Sequence, residues 1–280
     1  MLRWAADDFR ARGIESPRLD AELLLARALG TTRIQLIVDA RRPLAPDELA
    51  RMRELVKRRR AREPMAYILG EREFYGRVFR VDARVLVPRP DTEALVEAAL
   101  ARTRFVSMCM RALDLCTGSG CVAISLARER PTSTVFAADV SDDALAVARD
   151  NALRLGAYNV TLRRGDLYDA VDRACRFDLV TANPPYVASG EIPSLQPDVR
   201  DHEPRLALEG GADGLDVVRR VVAGAPAHLA PGGVLAVEVG AGQAPAVAKF
   251  FEAAGLSAVE THRDYARIER VVSGVLQSKR

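Results

Sequence analysis

The octapeptide Leu113-Asp114-Leu115-Cys116-Thr117-Gly118-Ser119-Gly120 runs an apolar strand pattern straight into a glycine-rich turn. Residues 121–130, directly after it, have helical periodicity. Glycine at 118 and 120 lets backbone N–H groups approach a ligand at a helix N-terminus, where they favour an anionic group such as a carboxylate or a phosphate. Gly118 and Gly120 with Ala123 fit the dinucleotide spacing, and Asp139 comes about 20 residues on, at the end of the next apolar run. An acid placed there accepts both hydroxyl hydrogens of a ribose. The loop and acid alone leave the cofactor open between a dinucleotide and S-adenosylmethionine.

Working outward, strands and helices alternate. Strands are expected at 111–115, 134–138, 160–164, 177–182, 233–240, 256–261 and 268–275. Helices are expected at 121–130, 141–156, 214–229 and 244–254. Such alternation implies right-handed parallel units with helices on both sheet faces. Residues 263–267 are too few for a parallel crossover, so the final strand should run antiparallel. The expected fold is α/β: a seven-stranded, mostly parallel Rossmann-like sheet with an antiparallel last strand.

Upstream the pattern is different. Leu2, Ala5, Phe9 and then Leu19, Leu23, Leu24, Ala26 and Leu29 recur at helical spacing, and Ser16-Pro17 and Gly30 read as a helix start and stop. A further helix is expected over 47–62. Residues 74–81 alternate around Gly76 like a hairpin, and Pro88-Arg89-Pro90 breaks the chain before a helix opened by Asp91-Thr92-Glu93. These features divide the chain into a helical bundle (1–65), a hairpin linker (66–87) and the α/β domain (88–280).

The chain has 280 residues, 49% hydrophobic and 28% charged, an ordinary globular composition that excludes a disordered chain. No apolar run approaches the roughly 18–20 residues of a membrane span. Residues 1–12 carry Asp7 and Asp8, unlike a secretory signal. Cys109, Cys116, Cys121 and Cys175 form no CxxC pair, and three histidines elsewhere do not complete a zinc site. A cytoplasmic protein with reduced thiols, no metal and no membrane partner is expected. Residues 1–80 hold 18 basic and 12 acidic side chains, the rest 23 and 26. Much of that basic excess lies in Arg51, Arg53, Lys57, Arg58, Arg59, Arg60 and Arg62, without interleaved aromatics: either a solvated helix face or a surface for an acidic partner.

Two further strand ends carry chemistry. Gly165-Asp166-Leu167 offers an acid that accepts from an adenine amino group beside an apolar side chain that covers the ring. Asn183-Pro184-Pro185-Tyr186 comes directly after the next strand. Its prolines stop the strand and hold the backbone rigid. Two acceptors, the Asn183 side-chain oxygen and the Pro184 carbonyl, match the two hydrogens of a planar –NH₂ group, and Tyr186 offers a ring to stack on it.

This tetrapeptide resembles the motif of methyltransferases that act on adenine, cytosine or glutamine amino groups. The wider sequence resembles the release-factor glutamine methyltransferases, the HemK/PrmC family. The likeness is carried by Glu73-Phe74-Tyr75-Gly76, by residues 85–93 (Val-Leu-Val-Pro-Arg-Pro-Asp-Thr-Glu), by Asp114 to Gly120, by residues 208–215, and by Asp264-Tyr265-Ala266 before Arg270-Val271-Val272. It spans nearly the whole chain. Departures are Cys116 where that family usually has glycine, Leu167 where an aromatic is common, and Arg267-Ile268 in place of Gly-Arg. The resemblance implies S-adenosylmethionine as cofactor and peptide chain release factors as substrates of a monomeric enzyme without sequence-specific nucleic-acid contact. Cys116, Thr117, Gly118, Ser119 and Gly120 would cradle the cofactor's amino-acid end, Asp139 its ribose, Asp166 and Leu167 its adenine. Asn183 and Pro184 would grip the target amide next to that cofactor, with Pro185 and Tyr186 completing the catalytic motif.

Two rivals are weaker. A nucleic-acid adenine methyltransferase should carry basic and aromatic residues near the active edge, whereas residues 81–280 are net negative. A non-catalytic adaptor has no use for an intact tetrapeptide. Arg89, His202 and Glu238 are further candidates without an assigned role; His228, His262 and Cys121 read as structural.

Overall fold

The computed structural model describes residues 1–39, 42–106 and 109–277. The chain divides into two compact units. One comprises Met1–Glu71 together with Gln196–His202; the other comprises Arg72–Leu195 and the chain from Glu203 onward. The expected three-part linear division therefore gives way to a discontinuous one. A short polar segment of the C-terminal half belongs to the helical unit.

In that unit α1 (Leu2–Ala11), α2 (Pro17–Leu29), α4 (Pro46–Arg60) and α5 (Met65–Leu69) pack around Phe9, Leu24, Met52, Val56 and Ile68. Gly30 ends α2 in the left-handed conformation (φ 63°), as its sequence position requires. The helix expected over 47–62 begins at Pro46 and stops at Arg60. A short α3 (Arg33–Val38), capped by Thr32, was not legible in the sequence; its Ile34, Ile37 and Val38 are exposed. The basic run is also largely neutralised within the unit. Arg51 pairs with Asp47, Arg58 with Glu63, Arg60 with Asp8, and Arg59 and Arg62 with Asp198 of α9 (Pro197–Arg200). Arg59 is itself buried against Asp20. Only Arg53 and Lys57 of the seven make no ion pair among the described residues, so the run is not one open basic face.

The other unit opens with the hairpin β1 (Glu71–Phe74) and β2 (Arg77–Arg80), then α6 (Glu93–Arg102), entered through a 3₁₀ turn at Pro90–Thr92. Seven more strands come after it among the described residues: β3 (Arg111–Leu115), β4 (Thr134–Asp139), β5 (Val160–Arg164), β6 (Phe177–Ala182), β7 (Leu229–Glu238), β8 (Leu256–Arg263) and β9 (Glu269–Leu276). Their order is β5-β4-β3-β6-β7-β9-β8. The first five are parallel, and β9 inserts antiparallel between β7 and β8. The intervening helices are α7 (Cys121–Glu129), α8 (Asp142–Arg154), α10 (Asp216–His228) and α11 (Ala244–Ala253).

Period-two alternation sorts the strands into two cores. Ala112, Val135, Leu179 and Ala236 pack on the face covered by α6 and α7, while Leu113, Leu115, Val180 and Val237 pack beneath α10 and α11. That alternation places Asp114, Thr181, Asn183 and Glu238 on the α6 side. The register aligns Leu115 with Ala138, Leu115 with Ala182, and Ala182 with Val237. One step further along, Cys116, Asp139, Asn183 and Glu238 therefore stand in a row at the carboxyl edge of the sheet. The chain turns to opposite sides of β3 between β4 and β6, the point where open α/β sheets bind ligands.

Candidate active site

A cavity of about 280 Å³ opens at this edge, wholly within the α/β unit. Its apolar wall includes Val85, Leu86, Val140, Leu167 and Val217. Of the residues singled out in the sequence, Cys116, Thr117, Gly118, Ser119, Asp139, Asp166, Leu167, Asn183 and Pro185 line it.

The glycine loop earns its shape residue by residue. Cys116, Gly118 and Gly120 all have positive φ (57°, 54° and 79°). A Cβ at Gly120 would sit 2.9 Å from Ile124, whereas one at Gly118 would meet nothing within 4 Å, so the open side of the loop faces free space. Asp139 ties the loop to its strand end, accepting from the Gly118 N–H at 2.9 Å and the Ser141 N–H at 3.0 Å. The Val140 N–H also hydrogen-bonds this carboxylate; two oxygens offer about four acceptor sites, so capacity remains for a hydroxyl. Burial holds its carboxyl above the usual range.

Asp114 is a site residue that pattern reading passed over as part of a buried strand. It is 1% exposed, accepts from Thr117 Oγ1 at 2.6 Å and Thr181 Oγ1 at 2.7 Å, and contributes to the cavity wall. Desolvation pushes its carboxyl up to about 6. Asp114 and Asp139 form no ion pair among the described residues. The cationic wall residues are occupied: Arg220 pairs with Asp166 at 2.7 Å, Arg84 with Asp82 at 2.7 Å and Arg89 with the buried Glu203 at 2.5 Å. The cavity thus keeps uncompensated negative charge and suits a cationic ligand.

Gly120, Pro184 and Tyr186 lie off the cavity wall. Gly120 shapes the loop from behind, and Pro184 is buried. The Tyr186 ring lies against Gly240, its carbonyl accepts from Gln243 Nε2 at 3.0 Å, and burial raises its hydroxyl pKa. Two prolines fix the backbone but not the direction of the next side chain, and here the ring packs beside the cavity rather than in its wall. His202 bonds the Ala61 carbonyl inside the helical unit and is not a site residue. His228 stacks on Tyr168 at 4.4 Å and His262 bonds Ser273, both structural. Burial pushes the Cys121 thiol up to about 12 and raises Cys116 as well, so neither is a ready nucleophile. Arg89 and Glu203, the latter also accepting from the Val87 N–H at 3.2 Å, brace the segment before Pro90.

Known proteins resemble this chain along nearly its whole length. Residues 1–70 match the family described as the PrmC N-terminal domain, and residues 91–196 match the methyltransferase small domain. A release factor glutamine methyltransferase of Geobacter sulfurreducens is 45% identical over 274 residues, 98% of this chain and 95% of that protein. One of Cereibacter sphaeroides is 46% identical over 276 residues, 98% and 97% of the two chains. A solved methyltransferase from Pyrococcus furiosus shares the fold, with a TM-score of 0.54 at 18% identity, covering 73% of this chain and 91% of that one. With a helical unit ahead of an α/β sheet, a cation-accepting cavity at the switch point and near-full-length identity of this order, the chain belongs to the release factor glutamine methyltransferase family.

Proposed function

We propose that this chain transfers the methyl group of S-adenosylmethionine to the side-chain amide nitrogen of the glutamine in the Gly-Gly-Gln motif of peptide chain release factors, in support of translation termination. The observation that carries this reading is the register that sets the Cys116–Gly120 loop, Asp139 and Asn183 side by side on one cavity.

The residues present fit the cofactor. Its amino-acid end has room over the open face of the glycine loop at Gly118, and its ribose suits the Asp139 carboxylate. Its ammonium and sulfonium charges suit Asp114 and Asp139, which have no cationic partner among the described residues, and its adenine suits Leu167 beside Asp166. When bound, it supplies an electrophilic methyl group on a sulfonium. Asn183 on the cavity wall does the rest by positioning, with the Pro184 carbonyl of the same motif as the second acceptor that the family resemblance implies. An amide nitrogen is a poor nucleophile because its lone pair is delocalised into the carbonyl. Two acceptors that hold both N–H hydrogens in tetrahedral geometry localise that lone pair along the line of transfer. Such orientation is worth up to roughly 7–11 kcal/mol of barrier. No strong base is needed, since the alkylated amide sheds its proton readily.

The helical unit serves as the docking surface for the protein substrate, offering exposed Ile34, Ile37 and Val38 with the exposed Arg53 and Lys57, which make no ion pair among the described residues. We place the reaction in the cytoplasm, on protein rather than nucleic acid, and in a monomer, because one unit of one chain supplies every wall of the cavity. Among the described residues no helix is long and apolar enough to cross a membrane.

The test is tritiated S-adenosylmethionine incubated with purified release factor, DNA or RNA in turn. Label is expected in release factor; label confined to nucleic acid overturns the reading. Asp114 adds a pH signature. Cofactor affinity measured by calorimetry should be constant above about pH 6 and weaken below it, by up to tenfold per unit, as the Asp114 carboxylate that holds the cation takes up a proton. Asp114→Asn should bind more weakly at neutral pH and lose that dependence.

A further inference from the structure

Glu238 ends β7 one register step beyond Val237, beside Asn183 at the end of β6. It is 1% exposed and lies outside the cavity wall. Between the two side chains sits Thr92, the last residue of the 3₁₀ turn after Pro88-Arg89-Pro90, 2% exposed and part of the wall. Asn183 Nδ2 donates to Thr92 Oγ1 at 3.2 Å, and the Thr92 hydroxyl in turn hydrogen-bonds the Glu238 carboxylate. The Oε2 atom of Glu238 is buried with no partner among the described residues.

A hydroxyl has one hydrogen and two lone pairs, and an ionised carboxylate only accepts. While Glu238 is ionised, the Thr92 hydrogen must point at it. Thr92 then shows Asn183 nothing but a lone pair, so the Asn183 amide can turn only its –NH₂ toward Thr92. Its oxygen is left facing the cavity, where a target –NH₂ needs an acceptor. Once Glu238 is protonated, its own O–H can donate to Thr92 and the Thr92 hydrogen is released toward Asn183. The flipped amide, with –NH₂ in the cavity, is then equally well satisfied and cannot grip an –NH₂ substrate.

We propose that Glu238, acting through Thr92, locks the Asn183 amide with its oxygen toward the cavity, and that Thr92 and Glu238 are positioning residues for methyl transfer. This rests on the reading of Asn183 as an acceptor for the target amide.

The surroundings fit a group kept near its titration point. Glu238 forms no ion pair among the described residues. Arg270 of β9 faces it but is held by Asp264 and Asp91, each at 3.0 Å, and Arg89 is held by Glu203. Asp91, Tyr186 and the Cys121 thiol of α7 complete the groups around it. Burial pushes its carboxyl up to about 7. A buried carboxylate without a counter-ion is costly, and a purely structural position would be filled more stably by an apolar side chain.

The experiment measures kcat against pH with both substrates saturating, in wild type, Glu238→Gln, Thr92→Val, Thr92→Ser and Asn183→Ala. Saturating cofactor removes the Asp114 effect, which acts on affinity. Wild-type kcat should fall below about pH 7. Glu238→Gln, whose amide presents either a donor or an acceptor to Thr92, should lose roughly tenfold in kcat with cofactor Kd unchanged, and its acid limb should vanish. Thr92→Val should lose at least as much, and Thr92→Ser should recover it. An unaltered acid limb in Glu238→Gln overturns the lock even if Thr92→Val fails to fold. Full activity in Asn183→Ala would instead overturn the underlying reading of the site, which keeps the two failures apart.

Discussion

Asn183→Ala is expected to lower kcat for release-factor methylation by about 10²–10³-fold, the scale seen when one preorganised hydrogen-bonding group is removed from a reaction centre. S-adenosylmethionine should still bind, because the loop, Asp139 and Asp114 are untouched. Asn183 stands at the end of β6, level with Cys116 and Asp139, and Pro184 and Pro185 hold its backbone. Without its oxygen one amide hydrogen of the substrate has no acceptor, the glutamine side chain rotates, and its lone pair stays conjugated with the carbonyl. That interaction strengthens as the nitrogen becomes tetrahedral, so the loss belongs to kcat rather than to KM. Asn183→Asp is the finer variant: a carboxylate still accepts but cannot donate to Thr92 Oγ1, and it adds charge beside Glu238, so activity between the two extremes is expected. Wild-type turnover in Asn183→Ala with saturating release factor would sink the mechanism.

How far the sequence reaches is visible at this same edge. The ends of β3, β5 and β6 were legible because apolar runs stop at glycine or proline, and the turn chemistry marks the boundary. Asp139 and Asn183 were legible because each comes directly after such a run. Asp114 was not, because a buried acid in an apolar strand is explained only by its hydroxyl partners, and Thr181 is 67 residues away. Thr92 escaped for the same reason, 91 residues from Asn183. Tyr186 shows where local reading stops. Its motif is local and its backbone constrained, yet the ring's direction is set by Gly240 and Gln243 from the next strand and helix. The Gln196–His202 segment reads as a polar loop of the α/β unit, and only a buried arginine 139 positions earlier reveals that it belongs elsewhere.

That arginine gives the largest expected effect on stability. Arg59→Leu should cost about 3–5 kcal/mol in the unfolding of the helical unit, read from the urea midpoint of the full chain, because it leaves buried carboxylates without their cation. The Arg59 guanidinium donates to Asp20 at 2.8 Å, to Asp198 at 2.6 Å and to the Glu63 carbonyl at 2.9 Å, and its side chain is 6% exposed. Arg62 reaches Asp198 as well, at 2.6 Å, but no second cation serves Asp20 at hydrogen-bonding distance among the described residues. Burial already raises the Asp20 carboxyl above its ordinary value despite the hydrogen bond and charge of Arg59. Without Arg59 it rises further. A group whose folded pKa is raised contributes stability at low pH and loses it as pH rises through that pKa. The gap between Arg59→Leu and wild type should therefore be widest at neutral pH and narrow as pH falls and Asp20 comes to be buried in its neutral form. Adding Asp20→Leu and Asp198→Asn to Arg59→Leu should recover most of the loss, since an apolar replacement of a buried ion pair is often neutral or stabilising whereas half of one is not. An unchanged midpoint in Arg59→Leu would mean that these carboxylates are solvated and that Gln196–His202 is held by something other than its charge.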